Sequence, residues 1–290
     1  MDHFYDSTDS LRLYYREYRA GQPGWLPVLC LPGLTRNSRD FADLAEHLSS
    51  RHQVLAPDLR GRGLSARDPD PTHYQLTTYV QDAWTLLDSC GIERVLIVGT
   101  SLGALMGMVM ATRPDRVAGV VLNDAGPELE LAGLLRIASY AGKRPPVKSW
   151  AEAAAQARQI NQAALPELTE AQWLDYARRT YRENAAGVPV PDVDPKIAVA
   201  FNTPPTGPLQ MWPLYAAVKA VPMLVLRGAL SDLLSAATVE RMVREKPDLE
   251  HVTVPNRGHT PMLDEPECLQ AIDAFLTRHG RAAPRSTPTP

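Results

Sequence analysis

Hydrophobic and polar positions along the chain fall into two rhythms that take turns. Leu11–Tyr18 (LRLYYREY) alternates apolar and polar residues, which predicts an antiparallel edge strand. Pro27–Gly33 (PVLCLPG) is instead a continuous apolar run closed by a turn, as expected of a strand buried on both faces. Ser38–Leu48 then puts Phe41, Leu44, Ala45 and Leu48 on one helical face. Gln53–Gly63 reads as a strand entering a glycine-rich loop, and Thr77–Gly91 as a helix with a threonine cap and a glycine stop. Strand RVLIVG, helix SLGALMGMVMATRP and strand Val117–Asp124 follow, with two more strands at Pro222–Gly228 and His251–Asn256. Helical patterns at Ala236–Glu245 and Pro266–Arg278 follow those two. Short apolar strands alternating with longer amphipathic helices predict an α/β fold with a mostly parallel sheet covered on both faces.

Between Asp124 and Pro222 the rhythm changes. AEAAAQARQ and EAQWLDYARRTYREN have helical spacing, Val188–Pro208 is proline-rich, and no strand pattern is visible. Residues 127–216 therefore read as a helical cap inserted into a core formed by 1–126 and 217–280. The last residues, GRAAPRSTPTP, lack an apolar pattern, so 281–290 are expected to be a disordered tail.

Composition narrows the function classes. A chain of 290 residues with 44% apolar residues can bury a large core. A formal charge of −3 gives no electrostatic case for nucleic acid or an anionic membrane. No apolar stretch reaches the ~18 residues of a membrane span, and MDHFYDSTDS has no signal-peptide character, so a cytoplasmic protein is expected. Cys30, Cys90 and Cys268 are odd in number and widely spaced, which suits core residues rather than disulfides or metal ligands. No HExxH or Cys-x-x-Cys cluster is present, and neither metal nor cofactor is expected.

The chemistry concentrates at Gly99-Thr100-Ser101-Leu102-Gly103, a G-x-S-x-G motif between a predicted buried strand and a predicted helix. That context demands a tight bend whose neighbours have almost no side chain, and it projects the serine oxygen at a helix N-terminus. A serine hydroxyl needs a base. Of the seven histidines, His3, His47, His52, His73, His251 and His279 lie in the leading tail, on polar faces, beside strands or in a Pro-rich loop. His259 sits in a glycine-containing loop after the last strand, at the sheet end where ligands bind. For the acid that orients the base, Asp232 follows the strand LVLRG and keeps the chain order Ser, Asp, His, so it is preferred over Asp124 at the end of VVLND.

With those residues in place the chain resembles the α/β-hydrolases over about residues 11–280. LPGLTRNSRDF resembles their oxyanion loop, PDLRGRGLS their Asp-x-Arg-Gly-x-Gly-x-Ser stretch, GTSLGA the nucleophile elbow, LRGALSD the acid loop and NRGHTPMLDEP the histidine loop. Within the family it is similar to small bacterial esterases and lactonases. The resemblance implies an eight-stranded sheet with the cap after the sixth strand, nucleophile Ser101, base His259 and acid Asp232. It further implies oxyanion donors at the backbone N–H groups of Leu34 and Leu102. Pro32-Gly33 stands where many members have His-Gly, and Ser101 where dehalogenases carry aspartate.

The implied reaction is hydrolysis of a small carboxylic ester or lactone through an acyl-enzyme. A C–C bond hydrolase and a non-catalytic receptor that kept the three residues are the alternatives. An apolar or aromatic substrate is expected from the cap's large side chains, with Trp150, Trp173, Trp212 and Met211 as candidate contacts beside Tyr140 and Phe201. Lys143-Arg144 and Arg178-Arg179 offer cations for a substrate carboxylate, but solvated helix faces are the expectation. Nothing in the sequence separates a monomer from a homodimer.

Overall fold

A computed structural model describes residues 1–18, 22–201 and 206–282. The strands are β1 (Asp2–Asp6), β2 (Arg12–Tyr18), β3 (Val28–Leu31), β4 (Val54–Pro57), β5 (Val95–Thr100), β6 (Val117–Asn123), β7 (Glu128–Leu129), β8 (Tyr181–Glu183), β9 (Pro189–Pro191), β10 (Leu209–Gln210), β11 (Met223–Gly228) and β12 (Glu250–Val254). The helices are α1 (Ala42–Ser49), α2 (Leu76–Ser89), α3 (Leu102–Met110), α4 (Leu131–Tyr140), α5 (Trp150–Asn161), α6 (Glu170–Thr180), α7 (Trp212–Ala217), α8 (Ala236–Glu245) and α9 (Pro266–His279). Eight strands form one sheet in the order β1-β2-β4-β3-β5-β6-β11-β12. From β4 to β12 all neighbours run parallel, while β2 is antiparallel to both β1 and β4. This is the α/β-hydrolase architecture, with a segment that stands outside the eight-stranded sheet inserted after the sixth strand.

Strands that read as continuous apolar runs are those covered twice. Along β3, Val28 and Cys30 pack with α1 and α9, whereas Leu29 and Leu31 pack with α2 and α3. All four are buried, so period-two alternation is present in space but invisible in hydropathy. The two apolar layers, one on each face, hold the parallel strands. Cys30 and Cys268 lie in these layers as free thiols, and burial pushes both up from the usual thiol range.

Two expectations fail. The edge strand is β1, not the Leu11–Tyr18 segment: residues 2–6, taken as a leading tail, pair antiparallel with β2, placing Phe4 opposite Tyr14. Segment 127–216 is not free of strands, because β7 pairs with β10 and β8 with β9. These ribbons have only two or three residues per strand, too short to show a period, and prolines at 189 and 191 mask one of them. Helices α5 and α6 pack on one another through Ala153, Ala157, Trp173 and Ala177, a third apolar cluster of their own. The tail lies outside the described residues from 283 onward. Arg281 pairs with Trp25.

Beneath β1 and β2, Arg60 is buried among three aspartates. Its guanidinium donates to Asp82 at 2.7 and 2.8 Å, to Asp68 at 2.5 Å and to Asp9 at 2.8 Å. Arg60, Asp68 and Asp82 are at most 3% exposed, so the pairing is desolvated and removing the cation would leave buried carboxylates uncompensated. Arg60→Met, which keeps much of the volume, is expected to destabilise the protein by about 3–5 kcal/mol. Urea denaturation followed by circular dichroism would check this.

Candidate active site

The bend between β5 and α3 explains the spacing of the two glycines. A Cβ on Gly99 would stand 2.2 Å from the Gly103 carbonyl oxygen, and one on Gly103 would stand 2.0 Å from the carbonyl oxygen of Leu31 on β3. Neither position can carry a side chain unless backbone moves. The residue between them, Ser101, has φ 54° and ψ −112°, a left-handed conformation that costs roughly 1–3 kcal/mol in a non-glycine residue. Its N–H donates to the Asn123 carbonyl at 2.9 Å and its C=O accepts from Ala104 at 2.9 Å, so β6 and the first turn of α3 hold the strained residue. Its Oγ is left projecting above the sheet at the start of α3.

The His259 imidazole reaches that hydroxyl: Ser101 Oγ lies 2.9 Å from His259 Nε2. His259 Nδ1 lies 2.8 Å from Asp124 Oδ2. Since the carboxylate only accepts, Nδ1 carries the proton and Nε2 is free to accept from the hydroxyl. Asp124 is fully buried at the end of β6, with φ 53°. Its oxygens also accept from the Gly228 N–H at 2.8 Å and the Ser231 hydroxyl at 2.7 Å, which fix the carboxylate plane. The histidine loop is tied down in turn. Glu265 accepts from the N–H groups of Met262 and Leu263 and from Arg257, while Asn123 donates to the Pro261 carbonyl at 3.0 Å.

The carboxylate at the imidazole is therefore Asp124, and the expectation of Asp232 in that place is corrected. Asp232 does follow β11, but Arg136 of α4 grips both its oxygens at 2.5 and 2.8 Å. Burial pushes the Asp232 carboxyl up, yet the Arg136 hydrogen bond and charge outweigh burial and hold it below the usual carboxylate range. Its neighbour Ser231 supplies the hydroxyl that supports Asp124. Chain order could not reveal this, because the competing cation lies 96 residues away on another element.

A cleft of about 880 Å³, counting its open mouth, lies over Ser101 and His259. Gly33, Leu34, Thr35 and Arg36 form one wall, close enough that a Cβ on Gly33 would sit 3.7 Å from the Ser101 Cβ. This loop is held by Arg62, whose Nε donates to the Leu34 carbonyl at 2.8 Å, and by Asp58, which accepts from the Ser38 N–H at 2.7 Å. Burial raises the Asp58 carboxyl, against the lowering effect of the Ser38 and Leu64 N–H donors. Leu34 lines the cleft, and Leu102 is the first residue of α3. Among the described residues neither of their N–H groups has a backbone acceptor.

The opposite wall comes from the segment between β6 and β11: Ile137, Tyr140, Arg144, Asn161, Leu165, Tyr176 and Arg179. Of the expected substrate contacts only Tyr140 is here; the Phe201 side chain lies outside the described residues. Trp150, Trp173, Trp212 and Met211 do not line the cleft. Trp173 is buried between α5 and α6, and Trp150 packs beside it with its Nε1 donating to Glu183 at 2.8 Å. Trp212 packs on the main core and donates to Glu128 at 2.6 Å, and Met211 borders that same core. Large apolar side chains were needed to seat the helices, which left arginines for the cleft. Arg144 and Arg179, expected to be solvated, face it, while their chain neighbours Lys143 and Arg178 are exposed.

A doubly covered, mostly parallel sheet with a serine on a strained strand-to-helix bend, hydrogen-bonded to a histidine and a buried aspartate, defines an α/β-fold hydrolase. The chain belongs to the alpha/beta hydrolase family, whose model matches residues 28–268. It is similar to a solved alpha/beta hydrolase from Novosphingobium aromaticivorans, with 44% identity and a TM-score of 0.90 over 96% of this chain and 98% of that one. It is also 34% identical to the 3-hydroxybutyrate-oligomer hydrolase of Cupriavidus necator, over 92% of this chain and 93% of that protein. A 2-(acetamidomethylene)succinate hydrolase of Mesorhizobium japonicum is 32% identical over 86% and 87% of the two chains. The chain is a hydrolase of this family. Among the described residues no helix is long and apolar enough to cross a membrane.

The crowding at the bend has a direct consequence. Gly103→Ala should push α3 away from β3 and lower the thermal midpoint by several degrees, whereas Gly91→Ala, whose Cβ would meet nothing within 4 Å but has φ 65°, should cost only about 1 kcal/mol. Calorimetry on the two variants checks the difference.

Proposed function

We propose that this hydrolase cleaves carboxylic esters through an acyl-enzyme on Ser101. The observation that carries the reading is the unbroken chain of hydrogen bonds from Ser101 through His259 to Asp124, at 2.9 and 2.8 Å. His259 takes the hydroxyl proton as Ser101 Oγ attacks the ester carbonyl, and Asp124 holds the imidazole in the needed tautomer and stabilises the imidazolium. The negative charge that develops on the carbonyl oxygen is met by the backbone N–H groups of Leu34 and Leu102, assisted by the N-terminus of α3. His259 then returns the proton to the departing alkoxide. A water activated by the same imidazole attacks the acyl-enzyme and restores Ser101.

The relative from Cupriavidus necator supports an ester as the bond cleaved, since an oligomer of 3-hydroxybutyrate is a chain of hydroxy acids joined by esters. The mixed lining of the cleft, with Phe41, Ile137, Leu165 and Met262 beside polar groups, suits a short aliphatic substrate rather than a large aromatic one.

Ser101→Ala is expected to abolish turnover of p-nitrophenyl acetate, measured at 405 nm. Asp124→Asn should lower kcat by about 10³–10⁴-fold, as expected when the imidazole loses its orienting carboxylate. Asp232→Asn should lower kcat by less than about tenfold. Equal losses in the two aspartate variants would overturn the assignment of the acid. Turnover should also fall as the pH is lowered, because protonated imidazole cannot accept from Ser101. A rate that does not fall at any acidic pH at which the protein stays folded would remove His259 from the role of base.

A further inference from the structure

We infer that the substrate carries a carboxylate in addition to the ester, and that Arg144 and Arg179 form the subsite that reads it; this rests on the serine-esterase reading of the cleft. Three arginines, Arg36, Arg144 and Arg179, line the same cleft as Ser101 and His259, and among the described residues Asp40 is the single lining carboxylate. Their states differ. Arg36 is already spent within the fold: it donates to Asp40 through Nε at 2.6 Å and to Thr180 Oγ1 at 2.7 Å, and it lies 4.2 Å from the centre of the Tyr176 ring. It neutralises Asp40 and stiffens the wall.

Among the described residues Arg179 has one ion-pair partner, Asp43, at 2.7 Å. Asp43 lies outside the cleft and is 61% exposed, so exchanging it for a substrate carboxylate costs little. Among the described residues Arg144 has no carboxylate within ion-pair distance; its guanidinium carbon lies 5.7 Å from the centre of the Tyr181 ring. The cleft thus holds an excess of positive charge beside an apolar lining, in a protein whose overall charge is negative. Arg144 is half-buried beside the Tyr181 phenol, and its guanidinium has donors that an anionic ligand can meet. Tyr140 adds a neutral donor on the same wall, since burial pushes its phenol up despite the opposing charges of Arg136, Arg144 and Arg36.

The arrangement fits a planar, two-oxygen anion, which a guanidinium binds through paired N–H groups. It also explains why two adjacent cations in each of two cap segments behave differently. Lys143 turns outward and donates to the Ala138 carbonyl at 3.2 Å, and Arg178 lies 3.5 Å from Asp175 at the surface, whereas Arg144 and Arg179 turn in. The carboxylate can sit on either side of the scissile ester, so the test carries both arms.

The experiment compares kcat/KM for two pairs of substrates that differ only in charge. One pair has the carboxylate on the alcohol side, 3-acetoxybutanoate against 3-acetoxybutanamide. The other has it on the acyl side, monoethyl succinate against ethyl succinamate. In at least one pair the carboxylate should be favoured by about 10–100-fold, the range expected for charge-assisted hydrogen bonds. Arg144→Gln and Arg179→Gln should each reduce that ratio, mainly through KM, and Arg144→Lys should retain part of it. Thermal melting of each variant separates loss of the subsite from loss of the fold. Titration calorimetry of the Ser101→Ala protein with the same four compounds reads the subsite without turnover. If p-nitrophenyl acetate is hydrolysed but neither pair shows a preference, the carboxylate proposal is overturned while the esterase stands. If wild-type protein is inert but Ser101→Ala binds the carboxylates in an Arg144-dependent way, the esterase reading falls and the subsite stands. A preference that survives both glutamine variants overturns the assignment to these arginines.

Discussion

The site depends on how closely three pieces of backbone approach one another where β5 turns into α3. The Leu31 carbonyl of β3 occupies the space a side chain at 103 would need, and the Gly103 carbonyl occupies that of a side chain at 99. Only glycine permits such an approach, and the approach forces Ser101 into a left-handed conformation. That strain is offset by its surroundings. Two apolar layers clamp β5 between β3 and β6, and the Ser101 N–H is satisfied by the Asn123 carbonyl. The hydroxyl is positioned by rigid elements at the C-terminal end of a central strand rather than by a loop.

The buried ends of β6 and β11 supply the second half of the site. Asp124 accepts three hydrogen bonds, from His259, Ser231 and the Gly228 N–H. A fully buried carboxylate is tolerable only when so completely paired, and the same pairing fixes the imidazole it faces. Asp232, one residue beyond Ser231, is given over to a different task. Its ion pair with Arg136 joins the loop after β11 to α4, the first helix of the segment that roofs the cleft. Of two aspartates that follow adjacent strands, one thus holds the imidazole and the other ties down α4.

The segment over the cleft divides its residues between packing and lining. Its tryptophans seat helices: Trp173 lies between α5 and α6, and Trp212 on the central core. What remains to face the cleft is a mixture of aliphatic residues, two tyrosines, an asparagine and two arginines. A large aromatic residue in a cap sequence marks a place where a helix must bury area, and only its position in space says whether a ligand could reach it.

Local chemistry made much of this protein legible before any coordinates. The alternation of buried strands and amphipathic helices determined the fold class, because burial on both faces of a parallel sheet leaves a continuous apolar run that few other structures produce. The spacing of Gly99, Ser101 and Gly103 marked the bend, and the glycine-bearing loop after β12 marked His259, because those constraints act over a few residues of chain. Tertiary structure alone decided which carboxylate meets the imidazole and which side chains line the cleft. Asp124 and Asp232 both follow strands that end at the same rim, and the difference between them lies in Ser231 and the Gly228 N–H, which reach Asp124, and in Arg136, which reaches Asp232. Arg144 and Arg179 likewise carry the same local pattern as their exposed neighbours. Which way each points is set by the path of the chain after α4 and by how α6 packs on α5, and that is a sum over distant contacts that no short stretch of chain records.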